Sequence, residues 1–345
     1  MISISKQIVF PAALCLGLVG TIQAQNTAVE RLPIDILDIQ APSSRVSGSP
    51  GSMQIEDRSC RAMPGAANLR ARIVNAAVQE WAYFGFTMLD YTDSEVSSAT
   101  RSNMGRRWSL LSPQQSVRVA DSIAGYWAAA PDSSWILQRQ NNRWNTRGVT
   151  TRWRDPWSAA FISWVMCESG LGEQARFARA VAHHTYIDQA IQSRDSGNGQ
   201  AAYQAFEIGE QEVLPGDMLC RGSRPAYQSV AERRRHLGVG ARTHCDIVVK
   251  VDKNLPGFYV IGGNVRATVG MKLLPGAATA DGFIKPVPYG NRKLFAHLKL
   301  DADPLSLNAL DLSPTIQALD CGMPATNLVA EAPAMPAAAN IGETC

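Results

Sequence analysis

The stretch DPWSAAFISWVMC, residues 155–167, predicts a helix with a hydroxyl side chain near its start. Asp155 is a plausible N-cap, and Pro156 suits the first helical turn. Ser158 is therefore either a nucleophile at a helix N-terminus or a serine that caps backbone N–H groups. Cys167 lies nine residues later, which at about 100° per residue is half a turn past two full turns. We expect Cys167 to face away from Ser158 and to be structural or disulfide-bonded.

Three further helices are predicted around this one. Apolar residues recur at helical spacing in NLRARIVNAAVQEWAYFG (68–85). In SPQQSVRVADSIAGYWAAAP (112–131), Ser112 and Pro113 form a helix start and Pro131 a stop. The segment ARFARAVAHHTYIDQAIQSR (175–194) is a fourth helix, closed by the DSGNG loop.

The sequence period then changes from helical to strand-like. The runs LPGDMLCR (214–221), THCDIVVKVD (243–252) and GFYVIGGNV (257–265) are short β-type segments separated by Pro/Gly turns. Residues 221–243 form a long connection between the first two. Helices followed by strands predict an α+β fold, with N-terminal helices packed on a small antiparallel sheet.

The chain divides into four segments by composition. Residues 1–24 have the pattern of a secretory signal peptide, with Lys6 before an apolar run and Ala24 at the cleavage point. This apolar run is shorter than the roughly 20 residues that a membrane span requires. Residues 25–58 are rich in Ser, Pro and Gly and predict a flexible leader, whereas 59–300 predict a single domain. Residues 301–345 are acidic, then Ala/Pro-rich, and predict a loose tail.

The number of cysteines is informative if the protein is exported. Removal of the signal peptide leaves an even number, namely Cys60, Cys167, Cys220, Cys245, Cys321 and Cys345. Even numbers in an oxidising compartment favour disulfides, although six cysteines allow 15 pairings. No C-x-x-C pair or H-E-x-x-H motif points to zinc, and we expect no metal and no cofactor. Cys220–Cys245 is the first pairing to expect if their two strands are neighbours.

The net charge of +3 conceals an asymmetry. Residues 301–345 hold six acidic residues and no Lys or Arg, which leaves +8 for residues 25–300. A basic body in the envelope suits anionic polymers such as peptidoglycan, although the charge also serves simple solubility. No aromatic–basic motif indicates nucleic acid.

Four sequence blocks resemble the papain-like cell-wall peptidases and amidases of the NlpC and CHAP type. They are PWSAAFISWV, LPGDMLC, THCDIVV and IGGNV, in that order, within roughly residues 60–290. In those enzymes a nucleophilic cysteine opens a helix, a PGD strand follows, and a later strand begins with histidine. The set is closer still to an uncharacterised bacterial domain-of-unknown-function family with the same blocks after a signal peptide. The resemblance implies a papain-like fold.

The resemblance also implies roles for three residues. Ser158 takes the place that cysteine occupies in relatives with PWCAAF, His244 is the general base, and Asn264 orients the imidazole. Asp246 is an alternative for that third role because it lies on the same strand face as His244. Asn264 is equally well explained as a turn residue with left-handed backbone. A serine hydroxyl stays protonated where a thiol would ionise, so His244 would have to remove the proton during attack.

Other side chains are weaker candidates for substrate binding. Trp153 and Trp157 belong mostly to a core, although Trp153 could line a groove. His183, His184 and Tyr186 lie on a helix that could border the cleft, where a surface histidine is the commoner case. Arg221 could meet a substrate carboxylate. So could the arginines of the long connection, Arg233, Arg234 and Arg235, for which a solvated basic loop is the default. Asp217 in the PGD turn is expected to be structural.

These observations lead to two functional hypotheses. The first is an exported, periplasmic or secreted hydrolase that cleaves an amide bond of peptidoglycan peptides with Ser158, His244 and Asn264. The second is an inactive papain-like module that binds peptidoglycan or an envelope protein partner. A Ser–His enzyme acting on another acyl substrate, such as an ester, is a third.

Overall fold

A computed structural model describes residues 29–61, 68–92, 111–289 and 293–320 of the chain. Its helices are α1 (Ile34–Leu37), α2 (Leu69–Tyr83), α3 (Pro113–Arg118), α4 (Ala120–Ala129), α5 (Ser134–Arg147), α6 (Ser158–Glu168), α7 (His183–Ser196), α8 (Val230–Arg234) and α9 (Pro314–Asp320). Its strands are β1 (Val46–Ser47), β2 (Gln54–Ile55), β3 (Met88–Asp90), β4 (Tyr203–Phe206), β5 (Met218–Arg224), β6 (Arg242–Asp252), β7 (Gly257–Val265), β8 (Thr268–Ala278), β9 (Ile284–Pro286) and β10 (Leu294–Leu300).

The strands form a two-stranded ribbon and a large sheet, so the chain is α+β. The large sheet has the order β3-β8-β7-β6-β5-β10-β4, and β9 pairs with β8 outside this path. The three predicted strands are β5, β6 and β7, which are neighbours and antiparallel. The expectation of a small antiparallel sheet is wrong in two respects: the sheet has eight strands, and β3 pairs with β8 in parallel.

The helix with Ser112 and Pro113 at its start begins where its sequence signal places it, although the segment predicted as one helix is divided at Val119 into α3 and α4. The Ser112 side chain accepts from the backbone N–H of Gln115 and completes a capping box before Pro113. The helix predicted from Asp155 begins only at Ser158, with Trp157 as its N-cap residue. The predicted fourth helix begins eight residues later than expected, at His183. Helix α5, whose mean hydropathy is low and whose buried face is narrow, was not predicted from its pattern.

The core lies mainly between the helices and one face of the large sheet. Alternate residues of β6 point to opposite faces, so Ile247 and Val249 pack against the helices. Val248 belongs to a smaller apolar cluster on the other face, together with Val260 and Leu274. This arrangement leaves the ends of β5, β6 and β7 beside the N-termini of α6 and α7.

The N-terminal segment differs from the flexible leader that its composition predicts. From residue 29 onward it packs on the helices, and the buried guanidinium of Arg45 forms an ion pair with the buried carboxylate of Glu168. A Cβ on Gly125 of α4 would lie 1.8 Å from the carbonyl oxygen of Pro42, so helix and segment are in close contact. A disulfide from Cys60 adds a covalent link. Specific tertiary contacts here outweigh the Ser/Pro/Gly composition.

Both disulfides of the described residues agree with the sequence expectations. Cys167 is bonded to Cys60, with Cα atoms 4.9 Å apart. Cys220 and Cys245 face each other in the β5–β6 register and are bonded as expected. Two disulfides fit an oxidising compartment. Cys15, Cys321 and Cys345 lie outside the described residues.

Asp217 of the PGD turn anchors the sheet through a buried network. Its Oδ1 accepts from Nη1 of Arg70 at 2.7 Å, and its Oδ2 lies 2.8 Å from Nε2 of His297. Backbone N–H groups of Leu214 and Leu300 donate to the same carboxylate. Burial alone would raise the pKa of Asp217, but His297, Arg70 and the backbone bond outweigh it and hold the pKa below its ordinary value. The structural role expected for Asp217 is confirmed.

The predicted tail begins as ordered structure. Leu310 and Ile316 are buried, and the backbone N–H of Leu310 donates to the carbonyl of Val249 in β6. The remainder of the tail, from residue 321, and the predicted signal peptide lie outside the described residues. In the part of the chain that is described, no helix has the length and apolar character needed to cross a bilayer.

Candidate active site

A cavity of about 720 Å³ opens where the N-termini of α6 and α7 meet the ends of β5, β6 and β7. Five of the residues singled out in the sequence line it: Ser158, His183, Arg221, His244 and Asn264. Trp127, Trp135, Arg224, Arg242 and Lys272 are further lining residues. The fold therefore brings together blocks that are more than one hundred residues apart in the sequence.

Ser158 is the first residue of α6, and its side chain does not cap the helix. Its Oγ instead lies 2.6 Å from Nε2 of His183. The Asp155 carboxylate, expected as the N-cap, is drawn away by ion pairs with Arg139 and Arg143 on α5. The capping interpretation of Ser158 is thus wrong, and its hydroxyl is held by an imidazole at the cavity wall.

His183 is buried rather than on a helix surface, with 4% of its area exposed. Its Nδ1 lies 3.3 Å from the backbone nitrogen of Cys245, whose N–H points at it, and contacts the hydroxyl of Tyr186. A backbone N–H can only donate, so Nδ1 is an acceptor and the ring proton is on Nε2. His183 therefore donates to Ser158 Oγ. Burial, followed by the nearby His244, lowers the pKa of His183 well below 6.5 and keeps the ring neutral.

The second histidine belongs to a charged cluster on the neighbouring strands. His244 Nε2 lies 2.9 Å from Oδ1 of Asp246 and 2.9 Å from Nζ of Lys272. Lys272 also donates to both oxygens of Asp246, at 2.6 and 2.8 Å. The rings of His183 and His244 meet edge to face with centroids 5.1 Å apart. A carboxylate only accepts and an ammonium only donates, so Nε2 can pair with Asp246 only in the tautomer that leaves Nδ1 unprotonated.

The electrostatics of this cluster follow from burial. Desolvation lowers the pKa of His244 to about 4, against the opposing effect of the Asp246 carboxylate. Desolvation would raise the pKa of Asp246, but His244 and Lys272 outweigh it and hold the pKa far below its ordinary value. At neutral pH the cluster therefore holds a neutral imidazole beside an ionised Lys–Asp pair.

The group that contacts His244 Nε2 is Asp246, the alternative for the orienting role, and not Asn264. Asn264 lines the cavity with a left-handed backbone, φ 57°, as the turn interpretation predicts. The two glycines before it explain the close packing here. A Cβ on Gly262 would lie 2.0 Å from Oδ1 of Asp246, and one on Gly263 would lie 2.5 Å from Cβ of Phe161.

The remaining sequence candidates fall outside the cavity lining. Trp153 and Trp157 are buried in the core, and Trp153 Nε1 donates to the carbonyl of Ala120. His184 Nδ1 lies 3.2 Å from the carbonyl oxygen of Ala241. Tyr186 acts on the site through His183, as described above.

The arginines of the long basic connection, residues 221–243, are not all exposed to solvent. Arg233 is fully buried and pairs with the carboxylate of Asp188 on α7. Arg234 forms a surface pair with Asp195. The expectation of a solvated loop is therefore wrong for Arg233, because its guanidinium ties α8 to α7.

Two contacts of the site, those of Lys272 and of Ser158 with His183, were not predicted from the sequence. Lys272 is two strands away from Asp246, and its only sequence signal is a lysine inside the apolar strand TVGMKLL. Ser158 and His183 are 25 residues apart, and their contact depends on where α7 begins. No cluster of three or more His, Cys, Asp or Glu side chains that could hold a metal ion occurs among the described residues.

Acid should destabilise this protein through its two buried imidazoles. Unfolding raises the His244 pKa from about 4 to 6.5, so the unfolded chain binds more protons between these pH values. Stability is then full well above pH 6.5 and falls toward pH 4, by roughly 2–3 kcal/mol at pH 4.5 from His244 alone. Urea unfolding at pH 7.5 and 4.5 measures this loss.

The control for this experiment is a histidine elsewhere on the surface. His244→Gln should reduce the loss of stability on acidification, whereas His236→Gln, at an exposed position, should leave it unchanged. Equal unfolding midpoints at both pH values would contradict the neutral, buried state of the imidazoles.

Comparison with known proteins identifies the family of this chain. Neither the curated proteins nor the solved structures contain a match. Residues 115–289, just over half of the chain, match the family described as "Uncharacterized protein conserved in bacteria (DUF2272)". The matched region includes α3 to α8 and β4 to β9, and with them every residue of the cavity from Trp127 to Lys272. The chain therefore belongs to the bacterial DUF2272 family.

Proposed function

We propose that this protein is an exported hydrolase with a papain-like, NlpC/CHAP-type catalytic arrangement that cleaves an amide bond in peptidoglycan peptides. The observation that carries the proposal is the Ser158 hydroxyl, held at a helix N-terminus by an imidazole N–H on the wall of an open cavity. A second imidazole, in contact with a buried carboxylate, lines the same cavity. A nucleophile, a base and an orienting group are the parts that acyl transfer requires.

The roles follow from the hydrogen bonds of each ring. In the tautomer whose Nε2–H donates to Asp246, Nδ1 of His244 is the base that takes the hydroxyl proton of Ser158 as Oγ attacks the carbonyl carbon. His183 donates to Oγ and stabilises the charge that develops on it. The first backbone N–H groups of α6 stabilise the oxyanion that forms on the attacked carbonyl oxygen. The protonated His244 then delivers its proton to the leaving amine, and water hydrolyses the acyl-enzyme by the reverse sequence.

Chain order and compartment also support this proposal. The helix with Ser158, the PGD strand and the strand with His244 occur in the order of the papain-like enzymes, and the helix packs against the strands. Two disulfides fit an exported protein. The arginines of the cavity suit anionic envelope material.

A module that only binds peptidoglycan or an envelope partner is the second candidate, and one observation favours it. The N–H of Cys245 places the His183 proton on Nε2, so the imidazole that contacts Ser158 donates and cannot also accept its proton. In this second function the Ser158–His183 pair is a fixed polar surface for a ligand. Catalysis distinguishes the two candidates.

The test is digestion of purified peptidoglycan by the full-length mature protein in H₂¹⁸O. Hydrolysis of an amide bond places one ¹⁸O in the new carboxylate, so the fragment on the acyl side should be 2 Da heavier than in ordinary water by mass spectrometry, and the fragment on the amine side should be unchanged. New amine termini without an ¹⁸O-labelled carboxylate in either the released or the retained material would exclude hydrolysis. An absence of new fragments would exclude the hydrolase and leave the binding module.

Substitutions at the two histidines should rank according to these roles. His183→Gln preserves an N–H donor near the Nε2 position, so we expect it to retain at least about tenfold more activity than His183→Ala. His244→Gln has no base and should lose about 10² to 10⁴ in kcat. Rates of fragment release measure the ranking. Equal loss in both His183 variants would make His183 the base instead of a donor.

A further inference from the structure

We propose that the cavity contains a carboxylate-binding subsite formed by Arg221, Arg224 and Arg242, and that the substrate has a free carboxylate close to the scissile bond. The substrate part of this inference rests on the proposed function. The binding part does not, because it requires an anion site and no catalysis.

The strand register places the three arginines together. In the β5–β6 ladder, Arg221 faces His244 and Arg224 faces Arg242. Residues that face each other on neighbouring antiparallel strands have side chains on the same side of the sheet. All three residues line the cavity that is also lined by Ser158 and His183. Two arginines opposed directly in a ladder repel each other, which an anion between them would relieve.

The charges of these arginines are not compensated by nearby carboxylates. Among the described residues, no Asp or Glu forms an ion pair with Arg221, Arg224 or Arg242, and the buried Nε of Arg221 has no hydrogen-bond partner. Asp155 is the one acidic residue among the described residues that line the cavity, and it is engaged by Arg139 and Arg143. The cavity is thus a positively charged concavity beside a hydroxyl and two imidazoles.

A carboxylate is the anion that this geometry suits. A guanidinium presents its N–H donors as a planar fork that binds a carboxylate through two parallel hydrogen bonds. Arg221 faces His244 in the β5–β6 ladder, so its side chain leaves the sheet beside one of the reactive groups. A carboxylate bound there lies near the bond that Ser158 attacks.

Binding to the Ser158→Ala protein tests the subsite without cleavage of the ligand. The probes are soluble stem peptides released from peptidoglycan, and the same peptides after carbodiimide amidation of their carboxylates. Calorimetry should give a Kd for the free carboxylates that is at least roughly tenfold lower than for the amidated peptides. Adding Arg224→Gln and Arg242→Gln should remove this preference.

A matched control separates the subsite from general basicity. Arg147→Gln with Arg235→Gln removes the same charge at exposed positions outside the cavity, and the preference should then persist. Equal binding of both probes, or an equal loss in both double variants, would overturn the subsite. If carboxylate-dependent binding holds while no peptide is hydrolysed by the wild type, the subsite stands and the hydrolase fails. If peptides are hydrolysed but bind without a carboxylate preference, the hydrolase stands and the subsite fails.

Discussion

Ser158→Ala should release peptides from peptidoglycan at least about 10³-fold more slowly than the wild-type protein, because no other side chain at the helix start can form the acyl-enzyme. The expected loss is large because Oγ is the attacking atom, and the methyl group of alanine contains no nucleophile. Peptide release followed by chromatography and mass spectrometry measures the rate, with heat-treated protein as the blank.

Two controls show that the Ser158→Ala protein is still folded and that the rest of its site is intact. The Ser158→Ala substitution removes one hydrogen bond, to His183, so the unfolding midpoint should change little and the far-UV circular dichroism spectrum should not change. Ser158→Cys places a thiol at the same helix start and should restore release, because a thiolate needs less help from a base. Release by Ser158→Ala at the wild-type rate would exclude Ser158 as the nucleophile.

Asp217→Ala should cost about 3–5 kcal/mol of folding free energy, which is the largest effect on stability that we predict. The substitution leaves the guanidinium of Arg70 and the imidazole of His297 in the core without their carboxylate. It also removes the acceptor for the N–H groups of Leu214 and Leu300. Urea unfolding with intact disulfides measures the change.

The matched control is a carboxylate in a surface ion pair. Asp195 pairs with Arg234 where both side chains are about 40% exposed, so Asp195→Ala should cost at most about 1 kcal/mol. A cost for Asp217→Ala that is no larger than that for Asp195→Ala would contradict the anchoring role of the buried network. Loss of soluble protein for Asp217→Ala alone would agree with it.

Local signals predicted much of this fold because they act within one element or between neighbours. The helix start at Ser112 and Pro113 and the Cys220–Cys245 pairing are examples, since the first needs only neighbouring residues and the second only two adjacent strands. Cys167 was assigned correctly from helical phase. The position of β3 could not be predicted, because a three-residue strand gives no periodicity and pairs with a strand about 180 residues away.

The site was only partly predictable, for a similar reason. Ser158, His244 and Asp246 follow from the order of the blocks and the alternation of a strand. The contact between Ser158 and His183 depends on the first residue of α7, and the contact of Lys272 depends on a glycine in the strand between it and Asp246. Such long-range contacts leave little trace in the sequence.

The ordered N-terminal segment shows where composition misleads. A stretch rich in Ser, Pro and Gly predicts flexibility, yet Arg45 is buried against Glu168 and Cys60 is bonded to Cys167. Cys60 was the available signal, since a cysteine next to a supposed leader in an exported protein favours a disulfide partner elsewhere in the chain. Its partner lies on the helix that begins with Ser158, so this segment also fixes the far end of that helix.

The most direct test of the account is covalent labelling of Ser158 by a fluorophosphonate, a reagent that reacts with activated serine hydroxyls. Intact mass and peptide mapping should give one adduct per chain, located on the peptide with Ser158 and absent from Ser158→Ala. His244→Gln should slow its formation. A protein that hydrolyses peptidoglycan peptides but is not labelled at Ser158, or is labelled equally at other serines, would contradict the proposal that Ser158 is the nucleophile.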